Sequence, residues 1–272
     1  MPEVGVPVLM VEAESLTRCF GSFTAVSDLC LQLRAGEIFG LLGPNGAGKT
    51  TTLKMLTTLL SPTRGWARVA GYDVKTQASW VRRVIGYVPQ VISVDGSLTG
   101  YENLLVFAKL YDVPRRERRD RVEAALRFVG LSDVAHALVR TYSGGMIRRL
   151  EIAQSVLHRP QVLFLDEPTV GLDPVARRVV WEQILKLRGE QGTTVFLTTH
   201  YMEEADALCD RVAIMHQGRV VALGSPAELK AAVGGHGVTL DDVFTHYTGS
   251  TLESGGSFRE ASRTRRTARR LG

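Results

Sequence analysis

Three things are scarce in this sequence. Only three of its 272 residues are cysteine, and Cys19, Cys30 and Cys209 are far apart. Odd in number and unclustered, they exclude a disulfide framework and a cysteine zinc site, and all three are expected to be small packing residues. Long apolar runs are also missing. The longest stretch without Asp, Glu, Lys or Arg is Gln191–Met202, twelve residues, whereas a membrane-spanning helix needs about 20. Finally, the opening MPEVGVPVLMVEAE has acids but no basic residue, which makes a poor secretory signal. These absences predict a soluble intracellular protein.

Charge is unevenly placed. The net charge is +5, but the stretch from Gly249 to the end holds six arginines (259, 263, 265, 266, 269, 270) against two glutamates (253, 260), leaving about +1 for the rest. A near-neutral body argues against a nucleic-acid surface, and no nucleic-acid partner is expected. The run RRERRDR at 115–121 reads as a solvated helix face. Apolar content of 44% and charged content of 22% are ordinary for a globular chain of one large domain or two small ones.

What is present is an alternation of apolar strands and helical patterns. EIFGLL (37–42), RVIGYVPQ (83–90), QVLFLDEP (161–168), TTVFLTTH (193–200) and RVAIMHQGRV (211–220) each contain a strand, the last with a turn at Gly218. The unbroken apolar centre of 161–168 fits a strand buried on both faces. Strands separated by helices predict a mostly parallel α/β sheet. The early segments LMVEAESLTRCF, FTAVSDLCLQLRAGE and GWARVAGYDV instead read as antiparallel strands beside it, and 99–132 reads as helical. A helix is expected over GKTTTLKMLTTLL, 48–60. GSTLESGGS (249–257) has linker composition, and the arginine-rich end beyond it has little to bury.

Four stretches carry chemistry. Gly43-Pro-Asn45-Gly46-Ala-Gly48-Lys49-Thr50 fits G-x-x-x-x-G-K-[ST] between a strand and a helix. Such glycines let backbone N–H groups converge on phosphate oxygens at a helix N-terminus, with Lys49 reaching the β- and γ-phosphates and Thr50 ligating Mg²⁺. Asp166 and Glu167 end a buried strand; one carboxylate suits Mg²⁺, and an adjacent one can polarise an attacking water. His200 ends another strand, where an imidazole is either structural or a γ-phosphate donor. Ser143-Gly144-Gly145 precedes the amphipathic MIRRLEIAQSVL, making either an ordinary Ser N-cap or a second phosphate site. Two phosphate sites in one chain are reconciled if the second serves a nucleotide held by another subunit.

From about Val8 to Gly249 the chain resembles the ATP-binding subunit of ABC transporters. Gly43–Thr50 matches the family's Walker A loop, Gln90 in YVPQ its Q-loop, Ser143–Met146 its signature, Asp166–Glu167 its Walker B with catalytic glutamate, VGLDP (170–174) its D-loop and His200 its switch histidine. Tyr142 and Met146 stand where Leu and Gln are commoner. YSGGM, SVDGSLTGYENL, EPTVGLDP and TTHYMEEAD resemble the exporter-type subfamily, which includes ATPases similar to the daunorubicin-resistance type. TLDDVFTHYTG (239–249) resembles that group's ending.

The resemblance implies a P-loop ATPase core with a mostly parallel sheet, an antiparallel β subdomain and a helical signature subdomain at about 95–157, all within 8–249; composition adds a flexible tail at 250–272. It implies catalysis by Glu167, His200 and Lys49. ATP would be held by Phe20 (stacked on adenine), Gly43, Asn45, Gly46, Gly48, Lys49, Thr50, Thr51 and Gln90. Ser143, Gly144, Gly145 and Asp173 would be supplied across a head-to-tail dimer, with a second copy as the expected partner. Mg²⁺ would be held by Thr50, Gln90 and Asp166. The expected setting is the cytoplasmic face of the membrane beside a separate permease, and the arginine-rich tail is either a solvated end or a contact to anionic lipid. The expected task is export of a small molecule. An importer subunit and a non-transport ATPase of the same superfamily are the alternatives. Against the latter, only 53 positions separate Gln90 from Ser143 and no heptads are sustained there. A GTPase switch is disfavoured because no N-K-x-D motif is present.

Overall fold

The computed structural model describes residues 8–234 and 237–249; the expectations for the 250–272 tail lie outside the described residues. Strands β1 (Leu9–Phe20) and β2 (Phe23–Arg34) pair antiparallel around a turn at Gly21 and Ser22. β1 also pairs with β4 (Arg64–Val69), which pairs with the short β5 (Tyr72–Asp73), giving the order β2-β1-β4-β5. Along β2, Leu29, Leu31 and Leu33 point inward while Asp28, Cys30 and Gln32 face out, the period of two that a half-buried strand requires. That alternation corrects the packing expectation for the cysteines. Cys30 is exposed, Cys19 is half-buried, and Cys209 alone is buried.

The second sheet has the order β10-β9-β3-β8-β7-β6. Its strands are β3 (Ile38–Leu42), β6 (Ile85–Val88), β7 (Val162–Asp166), β8 (Thr194–Thr199), β9 (Arg211–His216) and β10 (Arg219–Gly224). All neighbours are parallel except β10, which returns antiparallel to β9 through the turn at Gly218. β3, β7 and β8 are buried at every residue because both faces are covered. One face carries Phe39, Phe164 and Phe196, with ring centroids 5.6 Å apart in each adjacent pair, against the first sheet and α1 (Lys49–Leu56). The other carries Ile38, Leu165, Val195 and Leu197 against α6 (Pro174–Gln191) and α7 (Met202–Leu208). Each buried phenyl contributes about 1.5–3 kcal/mol of transfer free energy.

α1 ends at Leu56, four residues short of the expected helix. The Thr57 hydroxyl donates to the Leu53 carbonyl at 2.9 Å, and Thr58 adopts a left-handed φ of 64°. Threonine offers the backbone side-chain hydrogen bonds that compete with the helix.

A third cluster lies among helices. α2 (Ala78–Val84) leads into β6, and α3 (Gly100–Leu110), α4 (Arg118–Phe128) and α5 (Gly144–Val156) enclose Leu104, Val122, Leu126 and Leu150. α3 starts with a reciprocal cap: Glu102 N–H donates to Thr99 Oγ1 at 3.1 Å, and Thr99 N–H donates to Glu102 Oε2 at 2.8 Å. α8 (Pro226–Val233) and α9 (Leu240–Thr248) pack beside β10. Parallel pairing of β3, β7 and β8 brings Gly43, Glu167 and His200, the residues just after the three strands, to one edge of the sheet.

Candidate active site

The loop from Gly43 to Gly48 carries the chain from β3 into α1. Gly48 has φ 106°, and a Cβ there would lie 2.5 Å from the Ala25 carbonyl oxygen, so only glycine fits between α1 and β2. The loop is braced from behind, where Gly218 N–H donates to the Ala47 carbonyl at 3.0 Å. Lys49 folds back over it, donating to the Gly43 carbonyl at 2.7 Å and the Pro44 carbonyl at 3.2 Å. Its Nζ also lies 3.1 Å from Glu167 Oε1, with both side chains about 95% buried.

Asp166 and Glu167 are adjacent but diverge. Asp166 Oδ1 accepts from Thr198 Oγ1 at 2.6 Å and from Thr50 Oγ1 at 3.2 Å. Glu167 leaves the strand with a left-handed φ of 49°, a conformation that costs a non-glycine residue about 1–3 kcal/mol. It is held there by its N–H, which donates to Thr198 Oγ1 at 3.0 Å and reaches the Thr198 carbonyl at 3.1 Å. The twist aims one carboxylate at the Mg²⁺-ligating hydroxyl expected of Thr50 and the other at Lys49.

Glu167 is the point of convergence. Gln90 Nε2 donates to its Oε2 at 3.2 Å, and His200 Nδ1 lies 3.2 Å from the same oxygen. The two groups are in close polar contact, although the imidazole is not aligned for a regular hydrogen bond. Burial pushes the Glu167 carboxyl up, but the His200 contact and the Lys49 ammonium outweigh it and hold the group below the ordinary carboxylate value. Glu167 is therefore ionised at neutral pH.

A cavity of about 460 Å³ opens above these groups, lined by Phe20, Phe23, Pro44, Asn45, Gly46, Gly48, Lys49, Thr50, Thr51, Gln90 and Glu167 among others. Its size suits a nucleotide-scale ligand. At its lip Phe20 is 46% exposed, with the Arg18 guanidinium 4.6 Å from the ring centroid. Phe23, opposite Phe20 across the β1–β2 turn and also exposed, was not singled out in the sequence. The repeated aromatic in FGSF, on both sides of a tight turn, is the signal that would have found it. Thr198, which holds both acids, was missed too; it is an ordinary strand threonine until β7 and β8 are paired.

Ser143, Gly144, Gly145 and Asp173 do not line this cavity. Ser143 caps α5, its Oγ accepting from Met146 N–H at 3.3 Å while Met146 Sδ accepts from Ser143 N–H at 3.5 Å. The thioether thus fills the reciprocal position of the cap. Tyr142 anchors the approach, its hydroxyl donating to the Val134 carbonyl at 2.6 Å. Asp173 caps α6 by accepting from Val175 N–H at 3.0 Å and Ala176 N–H at 2.9 Å. The two helix starts are close: a Cβ on Gly145 would come within 2.8 Å of Ala176 Cβ. Ser143 and Gly144 are exposed, which leaves them available to a second molecule.

The profile of the ABC transporter family matches residues 26–170. The chain is 46% identical over 228 residues to the daunorubicin/doxorubicin resistance ATP-binding protein DrrA of Streptomyces peucetius, covering 84% of this chain and 69% of that one. This chain belongs to the ABC transporter ATP-binding family. It is also 41% identical to the linearmycin resistance ATP-binding protein LnrL of Bacillus subtilis (strain 168), covering 83% of this chain and 72% of the relative. Among solved structures it is similar to a dimeric ATP-binding cassette in a post-hydrolysis state bound to ADP and Pi. That likeness has a TM-score of 0.70 and 27% identity, covering 79% of this chain and 98% of the other.

The protein is accordingly an ATP-binding ATPase subunit of the kind that dimerises and works with a membrane permease. Among the described residues no helix is long and apolar enough to cross a membrane. The oxygen donors of Thr50, Asp166 and Gln90 are the hard ligands Mg²⁺ requires, and the Thr50–Asp166 contact already gathers two of them.

Proposed function

We propose that this ATPase energises export of a small molecule, a drug-like or lipid-like compound, through a separate permease at the cytoplasmic face of the membrane. The observation that carries the catalytic part is the convergence of Lys49, Gln90 and His200 on Glu167, each within 3.2 Å. The exporter part rests on similarity to proteins named for drug resistance.

In this reading the phosphates of ATP lie on the Gly43–Thr51 loop, the adenine stacks on Phe20, and Lys49 leaves Glu167 for the β- and γ-phosphates. Glu167 then takes a proton from a water as that water's oxygen attacks the γ-phosphorus and the bond to ADP breaks, leaving ADP and phosphate. His200 donates to a γ-phosphate oxygen. When bound, Mg²⁺ neutralises charge developing on the phosphates, and Thr50, Asp166 and Gln90 would hold it. Ser143, Gly144 and Gly145 of a second copy close over the nucleotide, with Asp173 in the same interface, so each of two equivalent sites draws on both subunits. The loss of that bridge on hydrolysis reopens the dimer. The arginine-rich stretch beyond Gly249 adds attraction to anionic lipid, about 1 kcal/mol per basic residue at the surface.

Co-expression with the permease, followed by transport into inverted vesicles, tests the reading. ATP-dependent accumulation of a drug-like substrate inside inverted vesicles is expected, and Lys49→Ala should abolish it. ATP-driven movement in the opposite sense would favour an importer. Normal turnover by Lys49→Ala would remove the site assignment.

A further inference from the structure

The second turn of α5 carries a buried ion pair that the catalytic scheme above does not use. Arg148 and Glu151 are three residues apart and share a helix face. Arg148 Nη1 lies 3.0 Å from Glu151 Oε2, and the side chains are only 7% and 1% exposed. Both reach the backbone of the segment after β6. Arg148 donates to the Pro89 carbonyl at 2.8 Å and to the Gln90 carbonyl at 3.3 Å. Glu151 Oε1 accepts from Ser93 N–H at 2.6 Å and Ser93 Oγ at 3.0 Å. Gln90, gripped at its carbonyl, places its side-chain amide on Glu167 at 3.2 Å.

The same helix begins at Ser143. From there to Glu151 is eight residues of rigid α-helix, about 12 Å. One end of α5 is the exposed cap assigned above to the two-subunit site, and its next two turns hold the loop that presents Gln90 to this subunit's own Glu167. Burying such a pair is expensive, and an apolar pair of similar volume is often as stable or more so, so fold stability alone gives little reason for it. Burial pushes the Glu151 carboxyl up despite Arg148 and Ser93, so the group is held against a real desolvation penalty.

We propose that Arg148 and Glu151 form a clamp that couples the two sites of the dimer: movement of the Ser143 end of α5 on a nucleotide held by the partner is passed through Pro89–Ser93 to the Gln90–Glu167 contact. Both are positioning residues; neither touches ATP. The proposal rests on the two-subunit site proposed above.

The test uses the full chain carrying Arg148→Met, which keeps the apolar stem, Glu151→Gln, which keeps the shape, and Arg148→Lys, with Lys49→Ala as control. Three quantities are read: affinity for a fluorescent ATP analogue, turnover, and the Hill coefficient for ATP. The expected result is turnover lowered about tenfold or more in Arg148→Met, as small misplacements near reacting groups do. Analogue affinity should stay within about twofold of the unaltered chain. The unaltered chain should be cooperative, Arg148→Met should lose that cooperativity, Glu151→Gln should change in the same sense, and Arg148→Lys should recover part of both. Glu151→Gln keeps the test decisive if Arg148→Met does not fold. If Lys49→Ala is inactive but the clamp variants keep normal turnover and cooperativity, the clamp is wrong and the site stands. The clamp is equally wrong if their affinity falls in step with turnover. If Lys49→Ala still turns over, the site assignment itself falls.

Discussion

Replacing Glu167 by Gln should separate ATP binding from ATP hydrolysis and strengthen the first while removing the second. Lys49 Nζ lies 3.1 Å from Glu167 Oε1, with the Gly43 carbonyl at 2.7 Å as a second acceptor. In the proposed mechanism ATP takes the lysine away from that carboxylate. A glutamine oxygen can still accept from Nζ, but without the charge. The bond from Lys49 to the glutamine oxygen stays charge-assisted because the ammonium is ionised, but it no longer has an anion opposite. Within the range of about 1.5–3 kcal/mol for such bonds, the competing contact therefore weakens by about 1–2 kcal/mol. That corresponds to ATP binding roughly 5- to 30-fold tighter. Removing a buried negative charge from the position proposed to face the γ-phosphate acts in the same direction. Turnover should fall by about 10²- to 10⁴-fold, the usual share of a general base. Titration with a fluorescent ATP analogue and a phosphate-release assay on one preparation measure both. Binding no tighter than that of the unaltered chain, or hydrolysis within about tenfold of it, would refute the competition between Glu167 and the nucleotide for Lys49.

Ser143→Arg should leave analogue binding to a single chain nearly intact, because Ser143 does not line the cavity, but it should prevent ATP-driven dimers in the Glu167→Gln background. Light scattering with and without ATP checks this, and dimers forming as before would count against the two-subunit site. His158 gives a pH signature. Burial pushes its imidazole below the ordinary value of 6.5. Nε2 sits 2.9 Å from the Ile85 carbonyl, the ring stacks on Tyr111 with centroids 3.8 Å apart, and Nδ1 is buried with no hydrogen-bond partner among the described residues. Below pH 6.5 the unfolded chain takes up a proton that the folded one resists, so stability is lost as pH falls through that range. His158→Gln should flatten the dependence of Tm on pH between about 7.5 and 5.5; an unchanged slope would show that His158 is not its source.

The sequence determined the local chemistry wherever residues are neighbours in the chain. Spacing alone located Gly43–Thr50, because a phosphate loop is one continuous turn into one helix, and the apolar VLFL before Asp166 marked a strand covered on both faces. The helix Gly144–Val156 and its Ser143 cap were legible for the same reason. Contacts made across strands were not. Thr198 became the support of both acids only when β8 lay beside β7, and Phe23 joined the cavity only when the hairpin folded. Cys30 read as a packing residue because composition carries no information on which face of β2 a residue takes. Only the tertiary structure decided that Lys49, Gln90 and His200, spread over more than a hundred positions, meet on Glu167, and that Arg148 and Glu151 hold the loop carrying Gln90. The sequence specifies which groups exist and how a single segment turns. Which groups meet is decided by sheet register and by helix packing, since both bring distant segments within hydrogen-bonding range.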